Sequence, residues 1–258
     1  MGIGISDLTP VEYYKEEGIW LKRDDKFEIC GVHGGKARSA YQVIQELLEE
    51  GYRTIVTAGS RQSPQCEIVS FICENLGIDC KLFMPFGGDT SVISHIKNNS
   101  HTEIIRVKPG YNNIIVARAR EYAQARNCGY VPFGMECERN VEVTSEQVRN
   151  IPDECKRIVM PVGSGMSFSS VVTGMTKYDI DKPILGVRVG KDPSKILDTY
   201  AFGLDFLDYG IVDSTVDYHT PVEAYVGDYQ LDPIYEAKCR EFLREGDLLW
   251  VVGKRVMD

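Results

Sequence analysis

From Ala40 onward the apolar residues Val43, Ile44, Leu47 and Leu48 recur every three or four positions and stop at Gly51, which predicts a helix with one buried face. The next run, Thr54-Ile55-Val56-Thr57, is too short for a helix and rich in β-branched residues, as expected of a buried parallel strand. The pattern then repeats. Ile68, Val69, Ile72 and Leu76 mark a helix ended by Gly77, and Cys80-Lys81-Leu82-Phe83-Met84-Pro85 reads as a strand. A helix over 91–97, a strand over 103–107 and a long helix over 113–126 follow. After the turn Pro132-Phe133-Gly134-Met135 come a helix over 138–149, the strand Arg157-Ile158-Val159-Met160 and a helix carrying Val171, Val172 and Met175. A strand over 184–189 precedes a helix opened by Asp192-Pro193. Asp232-Pro233 opens the last helix, and Leu248-Leu249-Trp250-Val251-Val252 is the last strand. Near the N-terminus, Leu8-Thr9-Pro10-Val11-Glu12 is a short lead-in, and 20–25 reads as a strand ending in charges.

Strands that alternate with helices along the whole chain imply α/β architecture, with parallel sheets and helices on both faces. There are too many units for one compact sheet, so two α/β lobes are expected. In such sheets ligands gather beyond the carboxyl ends of strands. Three loops have that placement: the segment around Lys36, residues 59–65 and residues 163–167.

Composition narrows the function. The chain has 258 residues, 43% hydrophobic and 26% charged, with a net charge of −9, so a broad phosphate-tracking surface is not expected. No apolar run approaches a membrane span and the N-terminus lacks a signal-peptide pattern. The eight cysteines are scattered without a Cys-x-x-Cys pair and the four histidines do not cluster. The expectation is therefore reduced thiols, a cytoplasmic protein and no metal site.

Two loops carry candidate chemistry. In His33-Gly34-Gly35-Lys36-Ala37-Arg38-Ser39, two glycines allow a sharp turn and Lys36 stands where loop becomes helix. A lysine in a cavity there has its pKa lowered by desolvation and becomes a usable nucleophile, although Gly-Gly-Lys alone also fits an exposed lysine after a flexible loop. Gly163-Ser164-Gly165-Met166-Ser167 lies between a strand and a helix. Its backbone N–H groups, the helix N-terminus and two serine hydroxyls suit an anion. It is neither a dinucleotide fingerprint nor a Walker loop, and fits one phosphate monoester better.

A single phosphate, a lysine before a helix and two α/β lobes point together to pyridoxal 5'-phosphate. The chain resembles the fold type II (tryptophan synthase β-like) pyridoxal-phosphate enzymes, and within them the 1-aminocyclopropane-1-carboxylate deaminase and D-cysteine desulfhydrase branch. The resemblance rests on Thr9-Pro10 with Lys22-Arg23-Asp24-Asp25, on Gly34-Gly35-Lys36-Ala37-Arg38, on Gln62-Ser63, on Gly163-Ser164-Gly165 and on Asp232-Pro233-Ile234-Tyr235-Glu236-Ala237-Lys238, in that order. It implies a larger cofactor-binding lobe of residues 1–39 and 130–258, a smaller lobe of 40–129, and the cofactor between them. It also implies that Lys36 forms the Schiff base and moves protons at the substrate α-carbon. Gly163, Ser164, Gly165, Met166 and Ser167 would hold the phosphate, and Glu236 would face the pyridine nitrogen. Ser63 would contact the substrate carboxylate or assist proton transfer, and Tyr235 and Tyr218 would line the pocket over the ring. Taken alone, Glu236 also fits an ordinary first-turn helix charge, and the two tyrosines ordinary packing.

Three positions depart from the family pattern. Gly35 replaces an asparagine before the lysine, Pro64 an asparagine after the serine, and Gln65 a histidine. Proline offers no donor to a cofactor oxygen. The resemblance implies a lyase or deaminase acting on a small amino acid, in a homodimer. Two other readings stand beside it. One is a pyridoxal-phosphate enzyme that decarboxylates, or β-substitutes, an amino acid carried on a nucleotide or DNA base, the only reading with a nucleic-acid partner. The other is a cofactor-binding module without catalysis.

Overall fold

The computed structural model describes residues 4–108 and 112–253. The described residues form two compact units. One comprises the chain up to Phe27 together with the chain from Asn140 onward; the other is Glu28–Arg139.

The first unit is built on a six-stranded sheet in the order Val11–Tyr14, Ile19–Arg23, Asp247–Val251, Arg157–Val162, Ile184–Arg188, Tyr209–Asp213. The last five run parallel to their neighbours, and Val11–Tyr14 is antiparallel to Ile19–Arg23. The central strand pairs Ile158 with Leu248 on one side and with Ile184 on the other. Alternate residues serve opposite faces. Ile158, Met160, Val162, Leu248 and Trp250 enter a core with Phe168, Val171 and Met175 of the helix Met166–Lys177. Val159, Leu249 and Val251 join Leu21, Ala237 and Cys239 on the other face. Burial on both faces explains why these strands read as unbroken apolar runs.

The second unit holds four parallel strands in the order Thr102–Val107, Asp79–Pro85, Thr54–Ala58, Gly129–Tyr130. Val56, Ala58 and Phe83 pack against Ile115, Ala119 and Ala123 of the helix Asn112–Arg126. The helices Gly35–Glu49 and Pro64–Leu76 pack on each other, and a short antiparallel pair, Glu28–Ile29 with Val32–His33, packs on both. That packing groups residues 28–39 and 130–139 with the four-stranded sheet, whereas the sequence-based lobe limits assigned them to the larger lobe.

The α/β alternation holds, with local differences. The expected strand over 20–25 ends at Arg23, and Asp24–Lys26 is a 3-10 turn. The turn follows from buried side-chain bonds. Thr9 Oγ1 donates to Asp24 Oδ1 at 2.8 Å, Trp250 Nε1 donates to Asp24 Oδ2 at 3.1 Å, and Arg23 grips both oxygens of Asp25 at 2.9 and 2.8 Å. Lys22, fully buried, donates to the Thr9 carbonyl and to Asn150 Oδ1. The expected last helix is a 3-10 segment, Glu236–Phe242, preceded by a turn in which Asp232 Oδ1 accepts from the N–H groups of Ile234 and Tyr235. The edge strand Tyr209–Asp213 carries too short an apolar run to signal itself.

Candidate functional site

In the six-stranded unit the central strand Arg157–Val162 runs directly into residues 163–165 and then into the helix Met166–Lys177. Gly165 caps that helix with φ of +101°, a conformation in which an L side chain is strained, and an added Cβ would lie 3.0 Å from Pro193 Cβ. Ser164 Oγ accepts from the Met166 N–H at 3.4 Å, and the helix has no acidic residue in its first turn to compete for an anion. The first turn of a helix leaves N–H groups without intrahelical acceptors, so a cradle of positive potential lies at the carboxyl edge of the sheet.

Tyr235 closes on this cradle. A Cβ on Gly163 would sit 3.0 Å from its ring, so glycine is what lets the ring approach the loop. The hydroxyl of Tyr218 lies 3.4 Å from that of Tyr235, and the two rings meet edge-on at 6.2 Å. Tyr218 sits in an irregular segment, yet its backbone is held. Lys238, only 2% exposed, donates from Nζ to the carbonyls of Asp217 at 2.6 Å and Tyr218 at 3.0 Å.

Glu236 follows Tyr235 and is fully buried. Its Oε1 accepts the Val252 N–H at 2.8 Å, while Oε2 is buried without a hydrogen-bond partner among the described residues. Burial pushes the carboxyl well above its usual range, and the charge of Asp232 adds to the shift. An orphaned buried carboxyl oxygen is costly unless a ligand satisfies it, so the residue is suited to a hydrogen-bonding partner such as a protonated ring nitrogen.

The four-stranded unit carries the lysine and serine segments. Gly34, at φ of +94°, caps the helix Gly35–Glu49, and Lys36 is the second helical residue and half-buried. Ser63 caps Pro64–Leu76, just beyond the strand Thr54–Ala58. Pro64 occupies the first helical turn, where its missing N–H costs nothing, so this departure from the family has a local structural reason. Gln65 is buried and donates from Nε2 to Thr57 Oγ1 at 3.0 Å and to the Pro132 carbonyl at 2.7 Å, tying the helix start to the neighbouring strand ends. Ser63 and Cys66 rest on Gly59, where an added Cβ would meet Ser63 Oγ and Cys66 Sγ at 2.6 Å. Burial pushes the Cys66 thiol up to about 12.

The sequence profile of the family described as "Pyridoxal-phosphate dependent enzyme" matches residues 2–201. The chain belongs to this family. Its sequence is 24% identical over 200 residues to a "Probable 1-aminocyclopropane-1-carboxylate deaminase" of Schizosaccharomyces pombe, covering 69% of this chain and 58% of that protein. It is 27% identical over 190 residues to an "O-seryl-dTMP PLP-dependent decarboxylase" of Salmonella phage ViI, covering 62% and 44%. It is 23% identical over 205 residues to a D-cysteine desulfhydrase of Salmonella paratyphi A, covering 71% and 62%. The chain thus spans roughly half of the length of the curated relatives it matches. Among solved structures, a homologue of 1-aminocyclopropane-1-carboxylate deaminase superposes with a TM-score of 0.79 at 18% identity, over 98% of this chain and 91% of that one. Threonine deaminase isoform 2 of Solanum lycopersicum gives 0.69 at 17% identity, over 97% and 80%. The fold is therefore fold type II, the tryptophan synthase β-like arrangement, in a pyridoxal-phosphate dependent family.

Within the six-stranded unit Tyr235 touches both Gly163 and Tyr218, with Glu236 next in the chain. Lys36 and Ser63 lie at the N-terminal ends of two helices that pack together. Sequence reading missed Lys238 as the clamp on the Tyr218 backbone and Gln65 as the tie at the serine loop. Neither side chain advertises its burial, although Lys238 does close the motif that begins at Asp232.

Proposed function

We propose that the protein is a pyridoxal-phosphate dependent lyase or deaminase that releases ammonia and a keto acid from a small amino acid. The observation that carries the reading is the buried Glu236 carboxyl with one oxygen left for a partner, next to a tyrosine that packs on a phosphate-type loop. In this reading residues 163–167 bind the cofactor phosphate through backbone N–H groups and the Ser164 and Ser167 hydroxyls. Glu236 hydrogen-bonds the pyridine nitrogen. Lys36 holds the cofactor through its amine and then moves the proton at the substrate α-carbon. Ser63 holds the substrate carboxylate or assists that proton transfer, and Tyr235 and Tyr218 keep water off the reacting face. When bound, the cofactor ring supplies an electron sink for the pair left at the α-carbon. None of the eight cysteines forms a disulfide, which supports a cytoplasmic setting, and the family likeness supports a homodimer.

A second reading is favoured by the likeness to the phage decarboxylase: an amino acid carried on a nucleotide, with decarboxylation as the reaction. One experiment tests both. Wild type and Lys36→Ala are supplied with pyridoxal phosphate, and visible absorbance is recorded before free and nucleotide-linked amino acids are added. The expected result is a visible band in wild type that Lys36→Ala lacks, then ammonia and keto acid from at least one small amino acid. Release of carbon dioxide from a nucleotide-linked amino acid alone selects the second reading. A wild type with no band overturns both.

A further inference from the structure

One cation near the serine loop has no part in the roles above. Arg61 stands two residues before Ser63, in the turn that follows the strand Thr54–Ala58. Its backbone carbonyl accepts from Thr90 Oγ1 at 2.6 Å, and its Nη1 donates to the Gly88 carbonyl at 2.8 Å. The guanidinium therefore lies across residues 87–88, the turn after the neighbouring strand Asp79–Pro85. A Cβ at Gly87 would come within 2.6 Å of it. Both turns are at the carboxyl end of the sheet, where open α/β sheets take their ligands.

Arg61 has no carboxylate partner among the described residues, in a chain with 38 acidic residues. Asp89, the acid of the adjoining turn, is engaged by Lys97 and Arg106. Lys108 follows the next strand, Thr102–Val107, at the same sheet end. Arginine presents five N–H donors in a planar fork, and a single carbonyl uses one of them. The remaining donors match the two oxygens of a carboxylate or phosphate. Arg61 and Ser63 are two residues apart, so their Cα atoms are separated by at most about 7 Å and both belong to the same turn.

We propose that Arg61 is a specificity residue that binds a second anionic group, carboxylate or phosphate, on the side chain of the amino-acid substrate. This deepens the reading above and rests on it, since Ser63 is taken there to hold the substrate's own carboxylate.

The test uses the cofactor-loaded protein and reads binding from the change in visible absorbance as serine, O-phosphoserine, aspartate and glutamate are titrated into wild type, Arg61→Gln and Arg61→Lys. Wild type is expected to bind phosphoserine or the acidic amino acids at least about 10-fold more tightly than serine. Arg61→Gln should abolish that preference and leave the visible band and the serine affinity unchanged within about 2-fold. Tighter binding of phosphoserine identifies a phosphate, and tighter binding of aspartate or glutamate a carboxylate. A wild type without preference, or a glutamine variant that keeps it, overturns the inference. Should Arg61→Gln fail to fold, Arg61→Lys decides: a preference weakened by about threefold or more supports the fork, and an unchanged one overturns it. A wild type with no visible band removes the function reading and this inference with it, whereas a normal band without anionic preference removes the inference alone.

Discussion

The two units carry their candidate residues in different ways. In the six-stranded unit the parts are backbone and buried groups: a glycine loop on a central strand, a ring pressed on Gly163, and a carboxyl sealed from water. In the four-stranded unit they are individual side chains at helix starts and turn tips, Lys36, Arg61 and Ser63. The departures from the family pattern, Gly35, Pro64 and Gln65, all fall in the second unit. Parts built from packing tolerate little change, because any added atom meets a neighbour. Parts on loop tips can change one at a time. The phosphate-type loop and the serine turn belong to different units, and the lysine proposed to hold the cofactor lies with the serine.

The strongest way to break that comparison is to overfill both sides. Gly163→Val drives a side chain into the Tyr235 ring, and cofactor affinity should fall about 10- to 100-fold, read by titrating the visible band. Gly59→Val drives one into Ser63 and Cys66 and should cost about 1–3 kcal/mol of stability, with cofactor affinity held within about 3-fold. Equal losses of cofactor affinity would show that the serine turn bears on the cofactor as much as the phosphate-type loop does.

The next effect comes from Lys238. Replacement by methionine leaves the Asp217 and Tyr218 carbonyls without their buried donor and should cost about 1–3 kcal/mol. The melting temperature should drop by about 2–4 °C per kcal/mol, and amide exchange should quicken over residues 217–220 before it does elsewhere. Uniform quickening would mean that Lys238 is ordinary core.

Glu236 sharpens the comparison through pH. Its folded pKa is raised, so between the ordinary carboxylate value and that raised value the folded state holds a proton that the unfolded state has lost. The stability of the cofactor-free protein should therefore fall as pH rises from about 5, and Glu236→Gln should remove much of that slope. Melting curves across the range check it, and parallel slopes for the two proteins would refute it. The smallest effect belongs to Pro64. Pro64→Ala should lower stability by about 0.4–1 kcal/mol through the unfolded chain and leave cofactor binding alone.

Much of the fold was legible because helix and strand periods are local properties. The run Thr54-Ile55-Val56-Thr57 is a strand wherever its neighbours lie, and Val43, Ile44, Leu47 and Leu48 share a face by spacing alone. Loops 163–167 and 59–65 were legible for the same reason, as breaks between opposite periods. The short edge strand Tyr209–Asp213 and the 3-10 form of Glu236–Phe242 were not legible. Both depend on partners remote in the chain, the strand Ile184–Arg188 and the core beneath Ala237 and Cys239.

The sequence by itself determined the alternation of elements, the two-unit α/β class and the order of the cofactor motifs, since each is written in spacing and residue type. Only the tertiary structure decided what those residues do for one another. It turned Lys22-Arg23-Asp24-Asp25, read from the sequence as the charged end of a strand, into a buried hydrogen-bonded network. It made Gly163 a contact surface for Tyr235 and left one oxygen of Glu236 sealed and unmatched. Burial and hydrogen-bond partners depend on residues up to 226 positions apart, as Trp250 is from Asp24, and no local pattern encodes such a distance.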